Sequence, residues 1–391
     1  MADDNPLIWK SLRKFLEPSK LLRSSTVSKL PKPKATKFLD ATRDYEAWMR
    51  RCTKVVESEL TAKHAQMRSN LFLFFRGTYY RWTQLWPEVC DDLQKAPTVL
   101  GIGDLHVGSY GTWRDREGRL CWGIDDFDDA HPLPYTNDLV RIAASIKVVT
   151  DSEHLTIRFR DGCDAVLEGY LESLKTGGCP FVLAEHEKNL EQLGIEAIKP
   201  PQDFWDKLIN NPAVARRDVP IEARKGWQKT LPPGADYKVV RRTAGLGSLG
   251  QRRFVAIVVH EGGYLAREAK ATIPSASVWK EGEEGRGEYY YEKAISSAVR
   301  SHDPFQLVFG SWLIRRLSPD SNPIEIDRLP KEHDEYTLLR AMGREAGNVH
   351  LGSKKQVKRV LRDLSRKKSN WLRRAAKEVA KAIEKDWREY S

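Results

Sequence analysis

The passage that most constrains this chain is a pair of acidic segments, Gly103-Asp104-Leu105-His106-Val107-Gly108-Ser109 and Ile124-Asp125-Asp126-Phe127-Asp128-Asp129-Ala130. Five carboxylates in so short a stretch repel one another unless a cation or a positive side chain compensates. Each segment adjoins a β-forming run, Thr98–Ile102 and Leu120–Ile124, the second after a turn at Asp115–Gly118. Pairing of those two runs would bring both acidic segments to one end of a hairpin. Trp122, Ile124 and Phe127 imply partial burial, where unpaired charge is costly. An exposed acidic turn without a metal is the plainer alternative.

Mg²⁺ suits such a cluster, because it takes one or two carboxylates and completes its octahedron with water and phosphate oxygens. A carboxylate held apart from the metal can accept the proton of an attacking hydroxyl. Phosphoryl transfer needs that division of labour, since positioning and charge neutralisation supply most of its rate.

The second feature is Gly245-Leu246-Gly247-Ser248-Leu249-Gly250, a G-x-G-x-x-G pattern. In a dinucleotide fold that pattern runs from strand into helix; here it sits between two strand-like runs, Tyr237–Thr243 and Arg252–His260. Glycines there let backbone N–H groups approach phosphate oxygens without Cβ obstruction, the alternative being a structural turn. The next run, Tyr264–Ala271, follows a Gly262-Gly263 turn and offers Arg267 and Lys270 as phosphate-pairing cations around Glu268. On a strand, positions 267 and 270 face opposite sides, so one of the two at most points inward. Glu288 or Glu292, on a helix spanning 288–300, is a candidate partner for that cation.

The rest of the chain supplies a frame. With 391 residues and twelve Trp it can build two lobes with a sizeable core. A helical stripe runs through Met49, Cys52, Val56, Leu60 and Met67, and Leu71 to Trp86 reads as a buried helix. A helix beyond Asn137 carries Leu139, Ile142, Ala143, Ile146 and Val149 on one face, and another spans 156–175. Residues 179–227 read as irregular, Leu231-Pro232-Pro233-Gly234 as a linker, and 306–326 as strand-rich. From Glu335 onward the chain is helical.

The net charge of +11 is concentrated: residues 354–391 hold fourteen Lys/Arg against five Asp/Glu, leaving about +2 for the remainder. Apolar residues at helical spacing in that segment (Val357, Leu361, Leu364, Trp371, Ala375, Val379, Ile383, Trp387) favour a docked helix with a solvated basic face over an anion-binding one. The five cysteines form no C-x-x-C pair and read as buried free thiols. No apolar run suggests a signal peptide or membrane span, so the expectation is a cytoplasmic protein without membrane insertion.

The acidic passage resembles the catalytic and metal motifs of aminoglycoside-phosphotransferase-like kinases, His-Gly-Asp-x-His-x-x-Asn followed by Ile-Asp-Phe with further acidic residues. That resemblance implies Asp104 as catalytic base, Asp126 as main Mg²⁺ ligand with Asp128 and Ser109 beside it, and Asp138 as brace of the loop. Ile102 stands where those kinases have His, and Ser109 where they have the second metal-binding Asn. The order of motifs, with Phe75-Arg76-Gly77 upstream and the glycine loop and Arg267-Glu268-Ala269 downstream, resembles the bacterial domain-of-unknown-function 2252 family over roughly residues 40–355. Lys-Glu-Ala is common in that family at the position of Arg267-Glu268-Ala269.

These features imply an α+β, two-lobed, protein-kinase-like fold in circularly permuted order. A basic extension (1–40) precedes a helical lobe (41–230), a strand-rich nucleotide-binding lobe (235–330) and basic C-terminal helices (331–391). The expected ligands are ATP and Mg²⁺, bound by Gly245, Gly247, Ser248, Gly250, Arg267 and Lys270 on one wall and the aspartates on the other, with a small-molecule hydroxyl as acceptor. Arg76 and Arg316 are candidate anion contacts, with structural salt bridges as the simpler role. Rival readings are a catalytically weak nucleotide-binding scaffold, a nucleotidyltransferase, and a metallophosphoesterase. The last rests on the similarity of Gly103-Asp104-Leu105-His106 to a Gly-Asp-x-His element and a looser one at Gly347-Asn348-Val349-His350.

Overall fold

The computed structural model describes residues 37–151, 155–186, 200–282, 288–321 and 335–391, with 190, 191, 195 and 198 between them. Of the N-terminal extension only its last residues fall in that set, and Phe38 already opens helix α1 (Phe38–Cys52). The stripe from Met49 to Met67 is two helices, α1 and α2 (Glu57–Ser69), because the chain between them is extended. There Val56 N donates to Gly250 O at 2.8 Å and Val55 bridges Gln251, so a tertiary contact with the glycine loop breaks the helix.

The aromatic stretch likewise divides, into α3 (Leu71–Gly77) and α4 (Tyr79–Val89). Asn70 starts α3 by accepting from the Phe72 and Leu73 amides at 2.7 and 3.1 Å. Helix α5 (Tyr135–Asp151) is buried at every residue from 135 to 146 and forms the axis of this half of the molecule. Against it pack α6 (Phe159–Thr176) and, from the far end of the chain, α11 (Glu335–His350) and α13 (Trp371–Tyr390); α12 (Val357–Arg366) precedes α13. The basic C-terminal helices bury Val360, Leu364, Trp371, Ala375, Val379 and Ile383, and Asp386 closes on the buried Arg81 at 2.6 Å. Their basic face is the solvated side of a docked element.

Two small antiparallel sheets carry the acidic segments. Strand β1 (Thr98–Gly101) pairs with β4 (His131–Pro134), and β2 (Tyr110–Arg114) with β3 (Leu120–Ile124). The expected hairpin of the first and third of these strands is therefore absent. Tyr110–Arg114, not singled out in the sequence, is β3's partner, and the Asp115–Gly118 turn closes that hairpin.

The other half is a five-stranded antiparallel sheet in the order β5-β6-β7-β9-β8 (Lys238–Arg241, Arg253–His260, Gly263–Ala271, Trp312–Leu317, Leu307–Phe309). The stretch 179–227 is more regular than its prolines suggest. Helix α7 (Pro201–Ile209) covers one face of the sheet, where Leu208 meets Val240, Val255, Ile257 and Ala266. Helix α8 (Ile221–Gln228) covers the other, with Ala223 and Trp227 against Val239, Ala256, Ala269 and Ile314. Residues 201–228 thus belong to the sheet's core and not to the helical half, because the sheet has two apolar faces to bury. Short helices α9 (Ala276–Lys280) and α10 (Tyr291–Ser297) follow β7. The strands end at Leu317, and residues 322–326 of the expected strand-rich stretch lie outside the described set.

Among the described residues no helix is long and apolar enough to cross a membrane. All five cysteines are free; Cys90, Cys121 and Cys163 are buried, Cys52 is half-buried, and Cys179 is exposed, contrary to the expectation of five buried thiols.

Candidate functional site

The acidic segments and the glycine-rich turn line one crevice of about 250 Å³ between the helical half and the sheet. Asp104, Ser109, Asp126 and Asp128 face Gly245, Gly247, Ser248 and Lys270 across it. The walls come close: a Cβ built on Gly247 would stand 3.9 Å from Asp104 Oδ2.

The Asp104 loop is held from beneath by α5. Asp138 accepts from the Ile102 and Gly103 amides at 2.6 and 3.0 Å, and from His350 Nε2 at 2.9 Å. His350, the last residue of α11, bonds Tyr170 through its other nitrogen at 2.9 Å, so it is a buried brace outside the crevice. Gly103 has φ +84°, and a Cβ there would meet the Asp129 carbonyl at 2.2 Å. Only glycine lets the two acidic segments touch at this point. Ser109 turns the loop on itself: its hydroxyl accepts from His106 N and donates to Asp104 O, at 3.0 and 3.1 Å. That hydroxyl, expected at a metal, is committed to the backbone.

Arg141, one turn along α5 from Asp138, was missed in the sequence. It is fully buried, donates through Nε and Nη2 to Asp104 Oδ1, and lies 4.3 Å over the Phe75 ring. A charged residue inside an otherwise apolar helical stripe was the signal that could have found it. Burial raises the Asp104 carboxyl above its usual range, and Arg141 opposes that rise. Arg76 also lines the crevice, and its buried Nε has no hydrogen-bond partner among the described residues. Arg316 lines the crevice too, but its guanidinium is held by Asp303 at 2.8 Å and the Arg114 carbonyl at 2.7 Å, the structural role.

The second acidic segment divides its labour. Asp128 is ion-paired with Lys270 and accepts from Tyr289 OH at 3.1 Å. The Asp126 side chain is 56% exposed and reaches Lys270 only at 4.0 Å. Desolvation by the surrounding crevice walls works to raise Asp126, yet Lys270, the Asp128 amide and Arg315 prevail and hold it below the ordinary carboxylate value. Burial, then Asp126, pushes Asp125 up to about 6. Burial and Asp104 push Asp129 up to about 7, although the Ala276 amide donates to it at 2.8 Å. Among the described residues no three His, Cys, Asp or Glu side chains form a ready-made metal cage.

On the sheet wall, Lys270 and Arg267 separate as strand alternation requires. Lys270 points into the crevice and is 1% exposed. Arg267 lies on the opposite face of β7, 3.9 Å over the Phe305 ring and bonded to Thr230 O at 3.2 Å, so it is not a crevice residue. Neither candidate glutamate holds Lys270: the helix expected over 288–300 is only Tyr291–Ser297, its Glu292 accepts from Val308 N at 2.6 Å, and Glu288, before the helix, lies 3.9 Å from Lys293.

Gly250 is likewise not in the crevice. It has φ +96°, donates to Glu59 Oε2 at 3.2 Å, and a Cβ there would meet Leu60 at 2.8 Å. It anchors the turn to α2. Lys63, one turn further along α2, donates to Gly247 O at 2.9 Å, and burial lowers its ammonium to about 8. Helix α2 thus clamps the glycine-rich turn, an arrangement that no pattern in either segment announces.

Over residues 51–193 the chain matches the family described as uncharacterized protein conserved in bacteria (DUF2252). That span holds both acidic segments, Arg141 and the α2 clamp, and ends before the glycine-rich turn. No curated protein and no solved structure matches the chain.

Proposed function

We propose that this protein transfers a phosphoryl group from Mg²⁺-ATP to a hydroxyl of a small-molecule acceptor, in a kinase-like fold whose acidic motif precedes its glycine loop. The observation that carries this reading is convergence. Residues more than a hundred positions apart, Asp104 and Gly247, face each other across one polar crevice. In protein kinases a glycine-rich loop covers the phosphates and the essential lysine lies on the third strand of the sheet. Here the glycine turn joins β5 to β6, and Lys270 lies on β7, the third strand, pointing at the acidic segment.

Asp104 suits a general base. Arg141 pins Oδ1, which leaves Oδ2, on the side of Gly247, to accept a hydroxyl proton. Its raised affinity for a proton moves it toward the working pH of such a group. Asp126, with Asp128 behind it, would hold Mg²⁺; a single well-exposed carboxylate fits an ion that draws its other ligands from water and phosphate. Bound there, the ion would supply charge neutralisation to the transferring phosphate. A second reading, a nucleotide-binding scaffold without turnover, is favoured by the commitment of the Ser109 hydroxyl to its own loop.

Thermal-shift titration with Mg²⁺-ATP tests the proposal. The expected result is a saturable stabilisation of the wild type that Asp126→Asn weakens. Asp104→Asn should keep the shift and lose ATP turnover; a scaffold would show the shift with no turnover in any variant. Absence of a shift in the wild type would reject both readings.

A further inference from the structure

The sheet wall of the crevice carries more positive charge than its own carboxylate can neutralise. Cross-strand register places Arg253 beside Lys270 and Glu268 beside Arg315. Arg242 joins them from the end of β5. Glu268, with no exposed surface, receives Arg242 Nη1, Arg253 Nη1 and Arg315 Nε at 2.6, 3.0 and 2.6 Å. Three guanidinium groups on one carboxylate leave this wall with an excess of two positive charges, which Asp125, Asp126 and Asp128 offset only from across the crevice, and among the described residues the buried Nε of Arg253, 3% exposed, has no acceptor. All three arginines line the crevice. Surplus buried charge is costly until an anion neutralises it.

Among the described residues the sheet wall offers a nucleobase no aromatic ring: Tyr45, Tyr79, Tyr80 and Trp113 line the crevice from the helical half, Tyr79 beside Gly103 at the Asp104 end and Trp113 beneath the Arg300 guanidinium at 4.4 Å. The wall's apolar continuation (Val240, Val255, Ile257, Ala266) is already covered by Leu208 of α7, with Phe204 packed beside it. Guanidinium forks match phosphate oxygens in geometry and charge, whereas a base is usually gripped between apolar surfaces.

We propose that the crevice grips the polyphosphate chain and not the base, so that nucleoside triphosphates of any base, and inorganic tripolyphosphate itself, compete for it on similar terms. This rests on the phosphotransferase reading for the orientation of the chain, with its reactive end at Asp104 and Asp126. Arg242, Arg253 and Arg315 then take the part of the chain remote from those aspartates, and the base projects past the wall.

Isothermal titration calorimetry on the full chain tests this with ATP, GTP, CTP, inorganic tripolyphosphate and adenosine, each with Mg²⁺. The triphosphates should bind within about threefold of one another, a spread of less than 1 kcal/mol. Tripolyphosphate should displace ATP, and adenosine should give no binding heat. Arg315→Gln and Arg242→Gln should weaken every triphosphate by the same factor, roughly tenfold for a lost charged hydrogen bond. Arg242 lies at the edge of the network with its side chain 29% exposed, so its variant reports even where Arg315→Gln fails to fold.

Preference for ATP over GTP and CTP by about thirtyfold or more, or failure of tripolyphosphate to displace ATP, overturns the proposal and leaves the phosphotransferase reading standing. Binding of tripolyphosphate with no nucleotide binding overturns this proposal, which requires nucleotides to bind on similar terms, and ATP as donor with it. If none of the ligands binds, both fall.

Discussion

Replacing Arg141 by methionine should destabilise the protein by about 3–5 kcal/mol, because it strands the Asp104 carboxylate in a buried setting. The Arg141 side chain has no exposed surface and Asp104 is 22% exposed, which favours the lower end of that range. Methionine keeps much of the contact with Phe75, Tyr79 and Trp82, whose rings surround the guanidinium at 4.3–4.9 Å. The loss is therefore mostly electrostatic. It should shrink when the stranded charge is also removed: Asp104→Asn combined with Arg141→Met should recover roughly 2 kcal/mol relative to Arg141→Met alone. Urea unfolding followed by circular dichroism, on the wild type, both single variants and the double variant, measures the coupling. A cost below about 1 kcal/mol for Arg141→Met, or strict additivity in the cycle, would refute the view that Arg141 sustains a charged Asp104.

Two other outcomes follow from the same geometry. Asp129 binds its proton more tightly in the folded state, at about 7 against an ordinary 3.8, so its contribution favours folding at low pH and is lost as pH rises through 7. Asp129→Asn, which can still accept from the Ala276 amide, should gain stability over the wild type between pH 4 and pH 8, by at most about 4 kcal/mol before screening is discounted; a difference that does not vary with pH across melts would contradict the assignment. Lys270→Met should abolish the Mg²⁺-ATP thermal shift while Arg267→Met lowers the melting temperature and leaves the shift intact, and the reverse pattern would place the phosphate cation on the wrong face of β7.

Much of the site was legible because its chemistry is local. The aspartates around Phe127, the G-x-G-x-x-G turn between strands, and the alternation that separates 267 from 270 are all short-range patterns. What escaped notice was supplied from a distance. Arg141 could have been flagged by its place in an apolar stripe, but its partner could not. The division of the helical stripe at Thr53–Val56 follows from Val55 and Val56 pairing with the glycine-rich turn some two hundred positions away. The same contact turns Gly250 toward Leu60 and out of the crevice.

The sequence by itself determined which side chains could do chemistry and the local elements that carry them, since strand and helix periodicity act over a few residues. Only the tertiary structure decided which of them meet. Asp104 faces Gly247, Lys270 reaches Asp128, and three arginines share Glu268 because strands pair by register and helices pack by shape. Burial then set their charges, raising Asp129 and lowering Lys63, through desolvation and neighbours that no linear spacing encodes.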